Sequence, residues 1–362
     1  MKGTDSSPAV SPDGRSVAIG SWDHHLYSVD ARNGTRRWRV KTGGPIESCA
    51  TFTRDNKVII PSYDHNVWCV DGDTGRVQWT FDAGAWMAGA PLLDDDAPGG
   101  GGGGVVYVGA TDGFLRALRV SNGSLVWKYD TGGEVWSSPA LVGRDAVCVG
   151  SGGSILPGLD CRAKVHCVRA RDGAPLFAPV ETGAQIQGAP VPGSGATPGL
   201  LYVPVYDGCV HALRWPNGTR AWTSCPSPGH RLESTPALLH NVSTAPGAAG
   251  GRVVREALVV GSADGSVYAL DGATGAVLWA QKLAADGAMV LSSPAVDSVG
   301  VVYVGAGSAI FALDGNAGGA VQWRYPAGAP VYSSPALRAG GLLFVGSEDG
   351  YLRCLRGGAP SW

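Results

Sequence analysis

The 362-residue chain reads as all-β, an eight-bladed β-propeller made of four-stranded antiparallel blades. Two observations predict this. A glycine is followed four residues later by a large aromatic eight times: Gly34/Trp38, Gly75/Trp79, Gly123/Trp127, Gly173/Phe177, Gly218/Trp222, Gly275/Trp279, Gly319/Trp323 and Gly358/Trp362. Successive pairs lie between 39 residues (Gly319 to Gly358) and 57 residues (Gly218 to Gly275) apart. The segments between them are rich in strand formers and turn glycines, without a convincing helix. A repeat of that length and composition marks a propeller or a solenoid.

The unit that ends at Trp279 justifies the frame element by element. Residues 233–238 make a short extended segment, and 257–262 a second strand. Asp264-Gly265 suits a tight two-residue hairpin turn. Residues 267–271 are a third strand, Thr274-Gly275 a second turn, and 277–279 a fourth strand. The single propeller domain spans 1–362, with blades near 5–44, 45–85, 86–133, 134–184, 185–230, 231–287, 288–329 and 330–362. Pro8, Pro91, Pro139, Pro190, Pro236, Pro294 and Pro335 open seven of them, as befits an edge strand that donates no N–H there. The terminal aromatics, Trp38, Trp79, Trp127, Phe177, Trp222, Trp279, Trp323 and Trp362, are expected to dock neighbouring blades, since each buries a large apolar area. Inserts at 94–104, 192–199 and 241–255, and one at 152–162 in blade four, are Gly-rich and expected to lack secondary structure.

Composition excludes several function classes. The net charge is −2, so no basic stripe calls for nucleic acid. No apolar run reaches the length of a membrane span. Residues 1–12 show no secretory pattern, which favours a cytoplasmic protein. The eight cysteines read as free, small buried hydrophobes in a reducing compartment, with Cys161 and Cys167 the only pair suspected of a local bridge.

The pattern Ser-Ser-Pro-Ala, Val-Tyr-Val-Gly-Ser, Asp-Gly, Tyr-Ala-Leu-Asp, Thr-Gly, Trp resembles the PQQ-like repeat. That family includes quinoprotein alcohol dehydrogenases and the outer-membrane assembly lipoprotein BamB. Residues 5–8, 19–21, 44–48 and 67–70 more narrowly resemble the C-terminal propeller of β-alanine-activating, aminoadipate-semialdehyde-dehydrogenase-like enzymes. That resemblance implies a fragment or relative of a larger acyl-activating, adenylate-forming enzyme. The quinoprotein resemblance implies PQQ with calcium. This chain, however, has no adjacent cysteine pair and no dense set of oxygen ligands.

The residue before each Ser-Ser-Pro-like segment is expected at the channel mouth, and Asp5, Glu47, Trp136, Gln187, Glu233 and Tyr332 are the candidates there. Carboxylates, an amide and aromatics brought together can form a small-ligand pocket, and a solvated rim is the plainer reading of the same residues. His24, His25 and His65 sit at matching turns, where exposed polarity explains them better than a metal does. No catalytic or metal-binding residue is expected, and no cofactor. The expected role is a non-catalytic scaffold for a protein partner or a flanking domain of the same polypeptide, with neither nucleic acid nor membrane as partner. The alternative is a quinone-dependent or small-ligand-binding propeller.

Overall fold

The computed structural model describes residues 3–97, 103–153, 162–243, 253–284 and 287–356. Every regular element among them is a β-strand. The chain divides into two compact units, Met1–Ile186 and Gln187–Trp362, and each carries four antiparallel sheets in chain order. Seven sheets have four strands. The sheet of blade eight shows three, Ala336–Arg338, Leu342–Gly346 and Leu352–Arg356; Trp362 lies outside the described residues.

Blade one shows the frame: Ala9–Val10, Ser16–Ser21, His25–Asp30 and Arg36–Lys41. The second strand is buried along its whole length, as expected of a strand covered on both faces. The blade-opening prolines fall immediately before the first strands, as Pro8 does before Ala9 and Pro294 before Ala295, where a missing N–H removes no ladder bond. The two residues ahead of them have separate tasks. The first serine accepts the amide at the end of its own blade's second strand: Gly20 N to Ser6 Oγ at 3.0 Å and Gly261 N to Ser234 Oγ at 2.8 Å. The second accepts an amide from the preceding blade: Ala90 N to Ser138 Oγ at 2.8 Å and Thr235 N to Ser293 Oγ at 2.9 Å.

Neighbouring blades are joined by a tryptophan and a glycine. Trp38 Nε1 donates to Gly72 O at 2.8 Å, Trp127 Nε1 to Ala170 O at 2.8 Å, and Trp279 Nε1 to Gly315 O at 3.1 Å, each acceptor belonging to the next blade. The ring lies against the left-handed glycine of that blade. A Cβ on Gly75 (φ +73°) would stand 2.8 Å from Trp38 Cδ2, and one on Gly275 (φ +75°) 2.6 Å from Trp222 Cε3. Only glycine takes this φ without strain and leaves room for the ring. The apolar cores accordingly straddle blades. One joins Val259 and Trp279 of blade six to Val304 and Phe311 of blade seven, and another joins Ile59 and Met87 to Val106 and Leu118.

The structure corrects four expectations. The Asp-Gly turn closes a three-residue loop, not a two-residue one: Ser262 N reaches Ser266 O at 3.0 Å and Gly265 N reaches Ser262 O at 3.0 Å. A left-handed third residue, Gly265 at φ +87°, keeps the strands' twist, and His24 and His65 hold that place at φ +65° and +73°. The 241–255 insert is partly strand, because Ala237–Ser243 and Val253–Gly261 keep pairing through Val242↔Val254, which are both buried. Phe177 is not on a strand. The fourth strand of blade four is reduced to Val180–Glu181, since Pro175 and Pro179 cannot donate to a ladder. Finally, four cysteines are paired and not free: Cys148 with Cys167 and Cys209 with Cys225. Cys148 and Cys167 are direct cross-strand partners, which brings their side chains to one face. Cys161, the partner suspected for Cys167, lies outside the described residues.

Candidate functional site

Among the described residues, a turn aspartate organises one side of blades one, two, three, five, six and eight. Besides capping its own loop, it accepts from the residue four further on. Tyr27 Oη donates to Asp23 Oδ2 at 2.8 Å, Trp68 Nε1 to Asp64 Oδ2 at 3.1 Å, Tyr268 Oη to Asp264 Oδ2 at 2.5 Å and Arg353 Nη1 to Asp349 Oδ1 at 3.0 Å. In blade five the corresponding residues are Asp207 and His211. His211 is buried, and neither ring nitrogen has a hydrogen-bond partner.

On this side of the first unit the residue ahead of the turn aspartate is aromatic in blades one and two, namely Trp22 and Tyr63. Trp86 leads into blade three. Backbone bonds pin all three: Trp22 N to Gly3 O at 3.2 Å, Tyr63 N to Pro45 O at 2.9 Å, and Thr111 N to Trp86 O at 2.9 Å. Tyr63 sits in the middle, edge-on to Trp22 with centroids 6.3 Å apart and stacked on Trp86 at 6.2 Å. Both indoles are open to solvent, Trp22 by 39% and Trp86 by 46%.

Two predicted residues join this cluster. Trp22 Nε1 donates to Asp5 Oδ2 at 3.0 Å, and Tyr63 Oη donates to Glu47 Oε2. Burial first, then the carboxylates of Glu47 and Asp5, holds the Tyr63 phenol far above the ordinary tyrosine value. Tyr63 is therefore a fixed neutral donor, and its hydrogen bond occupies one oxygen of Glu47. The entry position is half-buried in every blade, and the residue before it is a buried knob: Ile46 before Glu47, Val135 before Trp136, Leu232 before Glu233. The knob fills the space left by a strand-end glycine of the preceding blade, as Ile46 does against Gly20.

The remaining candidates are placed differently. Trp136 Nε1 donates to Glu134 Oε2 at 2.7 Å, within its own segment. In the second unit Glu233 is neutralised by Arg231, with Nε to Oε1 at 2.6 Å, and the Arg231 guanidinium lies over the Tyr206 ring at 5.9 Å. Gln187 and Tyr332 are half-buried at the same position of their blades. No group of three or more His, Cys, Asp or Glu among the described residues is placed to hold a metal ion. The second unit also has a cleft of about 480 Å³ lined by Leu239, His240, Asp297, Val299 and Asn316. Its Asp297 is committed to the amides of Val299 and Val301 and to Tyr303 Oη. Sequence reasoning missed Trp22, Tyr63 and Trp86. The signal was present in Trp22-Asp23 and Tyr63-Asp64, an aromatic ahead of the turn aspartate in consecutive blades.

The profile of the family described as outer membrane protein assembly factor BamB matches residues 2–130 and 128–356. Among solved structures, BamB from Moraxella catarrhalis superposes with a TM-score of 0.72 at 17% identity, over 98% of this chain and 96% of that one. The computationally designed Ika8 protein superposes with a TM-score of 0.73 at 16% identity, over the same shares. At those identities the likeness shows the fold, an eight-bladed propeller. No curated protein matches the chain.

Proposed function

Since the chain belongs to the BamB family of PQQ-like repeat propellers, we propose that it is a non-catalytic scaffold that docks a protein partner, either a separate chain or a flanking domain of its own polypeptide. One observation carries this reading: the exposed Trp22–Tyr63–Trp86 face, held rigid by backbone bonds on three consecutive blades. Rigid aromatics lose little entropy on docking and concentrate binding energy. A quinone bearing three carboxylates fits this face poorly, because it would meet Asp5 and Glu47. A propeller appended to an acyl-activating enzyme is a narrower form of the same reading, with the flanking domain as occupant. The bridges Cys148–Cys167 and Cys209–Cys225 favour an oxidising compartment as its home.

The test compares partners retained by the wild-type chain with those retained by a Trp22→Ala/Trp86→Ala variant of equal melting temperature. Any candidate is then rebuilt from purified components. The expected result is a partner whose affinity falls at least about tenfold in the variant. A reconstituted partner that binds both proteins equally removes the face from the reading.

A further inference from the structure

We propose that the Trp22–Tyr63–Trp86 face takes an arginine side chain carried by an exposed segment of a partner protein. This deepens the scaffold reading and rests on it. Three observations point to a cation. Glu47 has one oxygen held by Tyr63 and no basic partner among the described residues. No lysine or arginine of this chain lies over Trp22, Tyr63 or Trp86 among the described residues, although five cation–ring contacts occur elsewhere. The third observation is an internal template. Tyr206 stands one residue ahead of its turn aspartate, as Tyr63 does, and Glu233 holds the entry position of the following blade, whereas Glu47 holds that of Tyr63's own blade. There the chain supplies its own guanidinium: Arg231 lies over Tyr206 and pairs with Glu233. Trp86 occupies in blade three the position that Arg231 occupies in blade six.

Blades two and three present a turn tyrosine and a carboxylate as well, with Trp86 in place of the arginine and the carboxylate supplied by the tyrosine's own blade, because Ala88 stands where Glu233 does. A guanidinium meets both demands at once, since it is planar enough to stack on Trp86 or Trp22 while forking onto a carboxylate. An ammonium can sit over a ring, but it has no planar fork with which to stack and pair bidentately at once.

Titration of the full chain with a short arginine-containing peptide and its citrulline counterpart, followed through the indole N–H resonances, tests the proposal. Citrulline keeps the shape of arginine and removes its charge. The arginine peptide is expected to bind saturably and shift the Trp22 indole resonance, the citrulline peptide to bind about tenfold more weakly, and added salt to weaken only the former. Glu47→Gln keeps an acceptor for Tyr63 and is expected to reduce arginine binding about tenfold at an unchanged melting temperature. Equal binding of the two peptides, an indifferent Glu47→Gln variant, or a silent titration of folded protein each overturns the proposal. A reconstituted partner lost by the tryptophan variant and retained by Glu47→Gln removes the cation and leaves the scaffold reading intact.

Discussion

Among the described turn aspartates, only that of His211's blade leaves the aspartate-to-fourth-residue bond unmade. That blade keeps Asp207 at the turn, and Cys209 N occupies one oxygen at 3.0 Å. The imidazole is buried with both nitrogens unpartnered, at a position where blades one and six place tyrosine. His211→Tyr is therefore expected to stabilise the chain by about 1 kcal/mol, because it converts a buried orphan into a hydrogen bond; urea unfolding reads the change. Two histidines also predict an acid response. Burial, with Arg220 as the lesser cause, lowers His211 to about 4, and burial with Lys164 lowers His166 to about 4. Both values lie below that of a free histidine, so the unfolded chain takes up the protons first. Stability is full above about pH 6.5 and falls as pH drops toward 4, by roughly 3 kcal/mol per histidine. Melting temperatures between pH 7 and 4 check this, and replacing both histidines with uncharged residues should flatten the curve. The turn aspartates were legible in the sequence as Asp-Gly and Asp-His. Their second role was not, because a bond from i+4 shows only once the strand direction and the left-handed turn residue are known.

At the scale of the strand and turn, the glycine four residues before each tryptophan was legible as a marker and not as half of a joint. The pair in one blade never meets: Gly275 packs on Trp222, and Trp279 packs against Gly319. Gly275→Ala is expected to cost about 2–4 kcal/mol, combining a left-handed alanine with a clash against a buried ring. A fall in urea midpoint without a change in slope is the reading that fits. The cysteine pairing was hidden for a similar reason. Cys148 and Cys167 are 19 residues apart, a spacing with no meaning until the register sets them opposite. The aromatic face stayed hidden because Trp22, Tyr63 and Trp86 come from three blades: the aromatic-aspartate pairs mark the first two, and nothing local places Trp86 beside them. The 241–255 insert misled through its Gly and Ala content, whereas Val242 and Val254 at its two ends carry the strand periodicity.

Across the whole chain, stability resides between neighbours. The cluster that includes Leu239, Val259, Trp279, Val304 and Phe311 belongs to two blades at once. In such arrays each repeat is marginal alone and stability is a sum of nearest-neighbour terms. Trp279→Ala is expected to cost about 3–5 kcal/mol. Hydrogen exchange should show protection lost together in blades six and seven and largely kept in the first unit. Loss confined to blade six would contradict shared cores.

The tryptophan–glycine joint has a bearing on how such a chain can change length. Each joint is split across a boundary, its ring encoded at the end of one repeat and its socket near the end of the next. A recombination event anywhere within a repeat, provided that it stays in phase, therefore regenerates every joint along the gene. An event out of phase strands an indole without its socket. Inheritance by whole periods, with drift free to act on the loops between them, is the history this geometry permits.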